Sequence, residues 1–211
     1  MKKSLLSFMI AIVAISMAFV ACKKDEVDSS RVIDAKSVFS SVEFNSVKAL
    51  LPELGGSVTT LSTANYKNNS FKLTLPKTVS EDALAGDVNG KLGIISFGAF
   101  RDNMVGALYL VDNAKKIQVS YIYANKDFKV NATFIDEENP EAAPQNWNCS
   151  FVKGWNMVYL KVRAGEVDVT TTKPSGVNLQ WYCEPVRTGQ DKAMPLGEKT
   201  IQNIMKNFSA K

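Results

Sequence analysis

The sequence predicts an all-β protein, organised as a single antiparallel sandwich or, alternatively, as a closed barrel. Three patterns lead to this prediction. Apolar and polar side chains alternate over many short segments, as in strands that bury one face. The connectors between these segments are short and polar, as in hairpins. A sustained helical spacing of apolar residues occurs only near the C-terminal end.

The first half of the domain is predicted to hold short strands separated by turns. Apolar residues at 38–47 have no clear period, and short strands are expected there rather than a helix. The segment 50–61 contains Pro52 and a glycine pair, which predict a turn, with a β-leaning exit at 58–61. A strand alternates over 71–75 and ends at Pro76, because proline cannot donate to a strand ladder. A helical turn is expected at 80–85.

The second half carries the densest strand pattern. Its consecutive strands are joined by such short connectors that they must be antiparallel. The segment 155–162 is apolar on both faces, which predicts a central strand buried on each side. The strands predicted in this half are 92–100, 104–111, 117–123, 128–134, 147–151, 155–162, 167–171 and 177–183.

The C-terminal tail changes period. Ile201, Ile204, Met205 and Phe208 follow helical spacing, which predicts a short amphipathic helix. A helix of this length is marginal alone. We therefore expect it to dock on the β-rich domain.

The N-terminal residues have the order of a secretory signal. Lys2 and Lys3 precede an apolar run at 5–20, and the small residue Ala21 stands before Cys22. The run is shorter than the roughly 20 residues that cross a bilayer. The predicted division of the chain is a signal peptide at 1–21, a lipidated N-terminus and flexible tether at 22–35, a sandwich domain at 36–185, and a C-terminal loop with a docked helix at 186–211.

The motif Phe19-Val20-Ala21-Cys22 resembles a bacterial lipobox. Ala21 and Cys22 match it, whereas Phe19 and Val20 replace the usual Leu and the usual Ala or Ser. The resemblance implies cleavage before Cys22, attachment of fatty chains such as palmitate to that residue, and anchoring in the outer membrane. Several chains together hold a protein stably on a bilayer.

The charged segment after the lipobox bears on which side of the membrane the protein faces. The segment 23–26 (KKDE) is similar to the export signals of Bacteroidetes-type surface lipoproteins, which implies exposure at the cell surface. The alternative is a solvated start to the linker, with the protein facing the periplasm.

A second resemblance concerns the β-rich body. The segment 47–76 resembles the front half of transthyretin-like or immunoglobulin-like bacterial surface domains. The segments 121–127 and 153–156 are similar to uncharacterised Bacteroidetes-type lipoproteins. These resemblances imply a sandwich, with a lipocalin-like barrel as the alternative, and they carry over no catalytic residue.

Composition excludes several classes of function. Without the leader, 23 Lys and Arg stand against 21 Asp and Glu, with no basic block, so nucleic acid is not an expected partner. Histidine is absent, which removes His-dependent triads and the commonest metal ligand. The acidic residues at 136–141 lack calcium-loop spacing and predict a solvated loop. Glu166, Asp168 and Glu184 give no paired-carboxylate signal. We expect no catalytic residue, no metal and no cofactor beyond the lipid on Cys22.

Cys149 and Cys183 lie on the apolar faces of two predicted strands. With Cys22 acylated they form an even pair, in a compartment where disulfides persist. A disulfide between neighbouring strands is one expectation, and two buried free thiols are the other.

One predicted strand carries a polar and aromatic face. Tyr182 lies opposite Trp181 and Cys183, and it shares its face with Asn178 and Gln180. These three residues are the candidate ligand patch.

The expected function is that of a non-enzymatic, lipid-anchored lipoprotein of the cell envelope. It would bind an extracellular glycan or protein, or serve as an accessory subunit of an outer-membrane assembly. The alternatives are a structural subunit of a surface fibre or adhesin, in which sheet edges pair between chains, and a carrier of small molecules.

Overall fold

A computed structural model describes residues 31–53, 56–135 and 143–186. The leader, Cys22, the charged segment 23–26, the acidic residues 136–141 and the C-terminal helix at 201–208 therefore lie outside the described residues. The described residues are mostly strand, with almost no helix, and the all-β prediction is confirmed. A 3-10 turn at Glu81–Ala83 falls within the predicted helical turn. The strands are β1 Val32–Ala35, β2 Val38–Ser40, β3 Ser46–Pro52, β4 Val58–Asn65, β5 Phe71–Thr74, β6 Ala85–Asp87, β7 Gly90–Phe100, β8 Met104–Asp112, β9 Ile117–Ala124, β10 Phe128–Phe134, β11 Gln145–Phe151, β12 Gly154–Arg163, β13 Glu166–Thr170 and β14 Gln180–Pro185.

The large sheet branches where β7, β8 and β9 meet. The first part of β7 pairs with β9, and its last residues pair with β8. β8 in turn leaves β7 and pairs with β9 at Leu110–Asp112. Each of the three strands thereby keeps one free edge for other partners. β7 adds β3 and β4, β8 adds β14 and β2, and β9 adds β12, β13, β11 and β10.

Two pairings in this sheet are parallel, so the prediction of a wholly antiparallel sheet is wrong at these places. β13 lies between β11 and β12 and is parallel to β11, and β2 is parallel to β14. Short connectors force antiparallel pairing only between consecutive strands. Both parallel pairs join strands that do not follow one another in the chain, so the length of a connector does not determine their relative direction.

The first core lies on one side of the sheet. It is covered by the two-stranded sheet of β1 and β5, which pair antiparallel, and β3 and β4 of the large sheet contribute buried residues to it. Phe97 is at its centre, with edge-to-face contacts to Tyr121 at 5.7 Å and to Trp181 at 5.3 Å between ring centroids. Phe71 of β5 makes the same kind of contact with Trp181, which links the small sheet to the large one.

The second core lies on the opposite side of β9 and β12. β10, β11 and β13 supply its cover, with Trp147 and Phe151 of β11 fully buried beside Ile122 and Val158. Gly90 allows β10 to approach the start of β7. A Cβ atom at this position would lie 2.6 Å from the ring of Phe128, too close for any larger residue without a shift.

β12 separates the two cores, and the prediction that it is buried on both sides is confirmed. Trp155 and Tyr159 pack in the first core, and Val158 and Leu160 pack in the second. The strand therefore has no solvent-exposed face over its first seven residues, and exposed positions begin only at Lys161.

Three predicted boundaries need correction. β1 starts at Val32, inside the segment assigned to the tether, because Ile33 and Ala35 are buried against β5. The segment before Pro52 is strand β3, with alternate side chains buried, rather than part of a turn. The last described strand begins at Gln180 and not at 177.

Because Phe97 holds the branch point together, Phe97→Ala should lower the free energy of unfolding by about 3–5 kcal/mol through the cavity it leaves. Urea denaturation followed by tryptophan fluorescence measures this. Val162, which is 51% exposed, is the control, and Val162→Ala should change stability by less than about 0.5 kcal/mol. Equal losses in the two variants would contradict the central role of Phe97.

Candidate binding face

Strand register brings three aromatic residues into one row across β8, β14 and β2. Tyr182 is the cross-strand neighbour of Tyr109 on one side and of Phe39 on the other. Residues next to them in the chain, such as Leu108 and Trp181, point into the first core. Side chains alternate between the faces of a sheet, so the row of Phe39, Tyr182 and Tyr109 lies on the outer face. We call it the aromatic row.

The aromatic row has a defined geometry. The rings of Phe39 and Tyr182 stack with centroids 5.2 Å apart and planes inclined by 22°. The Tyr182 hydroxyl donates a hydrogen bond to Oε1 of Gln180 at 3.1 Å. Phe39 lies on an edge strand and is 50% exposed, an unusually open position for a phenylalanine. The stacked pair therefore presents an aromatic surface with an amide beside it.

The second core does not extend to the aromatic row. Tyr109 and Val111 of β8 lie on the same side of the sheet as Ile122 of β9, as the pairing of Val111 with Gln118 shows. The cover from β10, β11 and β13 reaches β9 and β12, and both Tyr109 and Tyr182 keep intermediate exposure.

Two of the three predicted patch residues belong to this face. Gln180 and Tyr182 are in direct contact with each other. Asn178 lies before β14, and its contact is made by the backbone, whose N–H donates to Oδ2 of Asp112 at 2.8 Å. The sequence reasoning missed Phe39 and Tyr109. The alternation of Tyr109 with Leu108 and Leu110 could have placed Tyr109 on the outer face.

Asp112 fixes the end of the hairpin next to the aromatic row. Its Oδ1 accepts the N–H of Lys115 and its Oδ2 accepts the N–H of Asn178, which ties the turn after β8 to the approach to β14. The hydrogen bond from Asn178 is the largest cause that lowers the pKa of the Asp112 carboxyl below its ordinary value.

The two cysteines are buried free thiols, as the second of the two expectations proposed. Cys149 is in the second core and Cys183 is in the first, on opposite sides of the sheet. A disulfide needs its two Cα atoms within about 7 Å and is not formed between them. Burial raises the pKa of the Cys149 thiol to about 12 and also raises that of Cys183. Both therefore stay protonated and unreactive near neutral pH.

The carboxylates considered for catalysis have structural partners or lie apart. Glu166 accepts a hydrogen bond from Asn146, and Asp168 forms an ion pair with Arg163, both on the β13 side of the sheet. Glu184 is on β14, in the branch that carries the aromatic row. Among the described residues, no three Cys, His, Asp or Glu side chains lie close enough together to hold a metal ion.

Comparison with protein-family models, with curated proteins and with solved structures finds no match for this chain. Within residues 31–53, 56–135 and 143–186, no helix has the length and apolar character needed to cross a bilayer.

Acid should weaken the contribution of Asp112 to stability. A carboxyl whose pKa is lowered by folding stabilises the folded state above its unfolded pKa, and this contribution is lost as pH falls through the folded pKa. Asp112→Asn should therefore unfold at lower urea than the wild type at neutral pH, and the gap should narrow below pH 3.8, the ordinary value of the group. Urea midpoints measured across the acidic range test this, and a gap independent of pH would contradict it.

Proposed function

We propose that this chain is a non-enzymatic lipoprotein, anchored in the outer membrane through Cys22, that binds an extracellular glycan on the aromatic row. The finer fold proposed is a β-sandwich of the transthyretin-like or immunoglobulin-like kind. Separate buried clusters on the two faces of β9 and β12 support a sandwich over a lipocalin-like barrel with a single interior. The charged segment 23–26 supports exposure at the cell surface, with a periplasm-facing protein as the alternative.

The observation that carries the binding proposal is the exposure of stacked Phe39 and Tyr182 on a sheet face. Aromatic rings in soluble proteins are usually buried in the core. An exposed aromatic surface next to Gln180 suits the mixed character of a sugar ring, which offers apolar C–H groups on its face and hydroxyls at its rim. The amide can donate and accept hydrogen bonds, and aromatic side chains contribute contact area at a low entropic cost.

Glycan binding is favoured over the other functions for reasons specific to this face. The aromatic row crosses three paired strands of the large sheet. The strand pairing fixes the relative positions of its rings. Sites supported by rigid strands hold their geometry better than sites on loops. A flat ligand can therefore contact the open side of Phe39 and the amide of Gln180 together.

A second candidate, the subunit of a surface fibre, is favoured by β4. This eight-residue strand pairs only with β3 among the described residues, and it contains no charged residue and no proline. Natural edge strands usually carry such residues to prevent pairing with other chains. The edge of β4 thus has the features needed for strand addition. The fibre-subunit function ranks second, because the features of β4 describe that strand alone and identify no partner.

Replacement of Cys22 tests the anchor. In cells grown with radiolabelled palmitate, wild type should become labelled and Cys22→Ser should not, because the thiol is the acceptor of the diacylglycerol group. Cys149→Ser is the matched control and should be labelled like the wild type, since that thiol is buried. Label retained by the Cys22 variant would refute the site.

Alanine substitutions in the aromatic row test the binding site. The lipidated full-length protein, kept in detergent, is applied to a glycan array. Phe39→Ala and Tyr182→Ala should each weaken binding about tenfold, which corresponds to one aromatic contact of about 1.4 kcal/mol. Val162→Ala removes an equally exposed apolar side chain elsewhere and should bind like the wild type. A wild-type protein that binds no glycan, or an equal loss in the control, would overturn the proposal.

A further inference from the structure

Three turns meet at one end of the sheet. Leu92 of β7 and Gly154 of β12 both pair with Ala124, the last residue of β9. The turns next to these residues must therefore lie together. They consist of residues 87–90, 125–127 and 152–153, and we call them the turn tip.

Hydrogen bonds join the three turns of the tip to one another. Lys91 and Asn125 are linked twice, by the Lys91 N–H to Oδ1 of Asn125 at 2.9 Å and by the Asn125 N–H to the Lys91 carbonyl at 3.1 Å. The Lys153 N–H donates to Oδ1 of Asp127 at 2.7 Å. The ammonium group of Lys126 donates to the carbonyl of Val88. The tip is thus a cross-linked surface and not three independent loops.

The tip presents apolar side chains to solvent. Val88 is 87% exposed and Val152 is 58% exposed, although both are held in position by the bonded turns. Lys153 follows Val152 in the chain, and Lys126 reaches the carbonyl of Val88. A surface with two protruding valines and two long amphipathic lysines suits the boundary between water and lipid.

The N-terminal segment enters the domain at this same end. Arg31, the first described residue, is hydrogen-bonded twice to Leu75. The Leu75 N–H donates to the Arg31 carbonyl at 2.8 Å, and the Arg31 guanidinium donates to the Leu75 carbonyl at 3.1 Å. The next residue, Pro76, accepts a hydrogen bond from the indole N–H of Trp155 at 2.8 Å. Trp155 follows Gly154 at the edge of the tip. The chain from residue 22 to Arg31 therefore joins the body beside the tip.

The length of that chain limits the distance between lipid and tip. Eight residues lie between Cys22 and Arg31, and the nine Cα–Cα steps span at most about 32 Å when fully extended. β12 has ten residues and is about 30 Å long, so the opposite end of the sheet meets the bilayer only if the tether is almost fully extended along the domain. A short tether also gives the nearest surface a high effective concentration at the bilayer, so that a weak contact is occupied.

We propose that the turn tip is a membrane-contact surface, on which Val88 and Val152 touch the headgroup region of the bilayer that holds the lipid anchor. This inference rests on the proposed anchor at Cys22. The contact orients the domain with the sheet upright and the aromatic row facing sideways, where a ligand can reach it.

Depth-dependent quenching tests the orientation. The lipidated full-length protein is reconstituted into vesicles of phosphatidylethanolamine with a minor fraction of phosphatidylglycerol, with and without lipid that carries a doxyl group near the headgroup. A single cysteine is introduced by Val88→Cys, Val152→Cys or Val162→Cys and labelled with bimane. The native thiols do not interfere, because Cys149 and Cys183 are buried. Val162 is the matched control, with similar exposure but at the opposite end of β12.

The expected result is that the labels at 88 and 152 lose most of their fluorescence in doxyl vesicles, whereas the label at 162 loses little. Similar quenching at all three positions, or greater quenching at 162, would overturn the membrane-contact surface. Flotation of the vesicles reports the anchor separately. A protein that floats without the difference in quenching disproves this inference alone, and a protein that does not float disproves the anchor and the inference together.

Discussion

The branching of the sheet at β7, β8 and β9 is the constraint on which the rest of the structure depends. A strand has two edges, and each of these three strands divides one of them between the other two. Phe97 packs against both Tyr121 and Trp181 on one side of this junction. The second core includes no residue of β8, although β8 pairs with β9 at Leu110–Asp112. The aromatic row on β8, β14 and β2 therefore lies outside the second core.

Strand positions could be predicted where local periodicity reports burial. β10 was predicted with its observed bounds and β9 to within one residue, because strict alternation marks one buried face. β12 was recognised as buried on both sides from its continuous apolar run. β1 and β3 were not predicted. β1 has only four residues of mixed character, and β3 ends in a proline, so neither shows a clear alternation of apolar and polar side chains. Pairing was the least predictable property, because the partners of β2 and β13 depend on residues far away in the chain.

The candidate site was only partly predictable, because it also depends on strand pairing. Alternation within one strand placed Gln180 and Tyr182 on one face, and the structure joins them by a hydrogen bond. The pattern was extended to Asn178, but the strand begins at Gln180, and alternation has no meaning before a strand starts. Phe39 and Tyr109 complete the row through cross-strand register, which is set by the fold as a whole. One sequence can thus identify an outward face but not the neighbours that turn it into a surface.

The position of β1 connects the proposed anchor to the stability of the domain. A force applied through the N-terminal segment enters the body at Arg31 and is carried by four residue pairs between β1 and β5. The guanidinium of Arg31 reinforces the end of this pair by donating two hydrogen bonds to the carbonyl of Leu75. From Pro76 the path continues through the indole of Trp155 into β12, the strand buried between both cores. The short strand β1 is thereby connected to a strand whose first seven residues are buried between both cores.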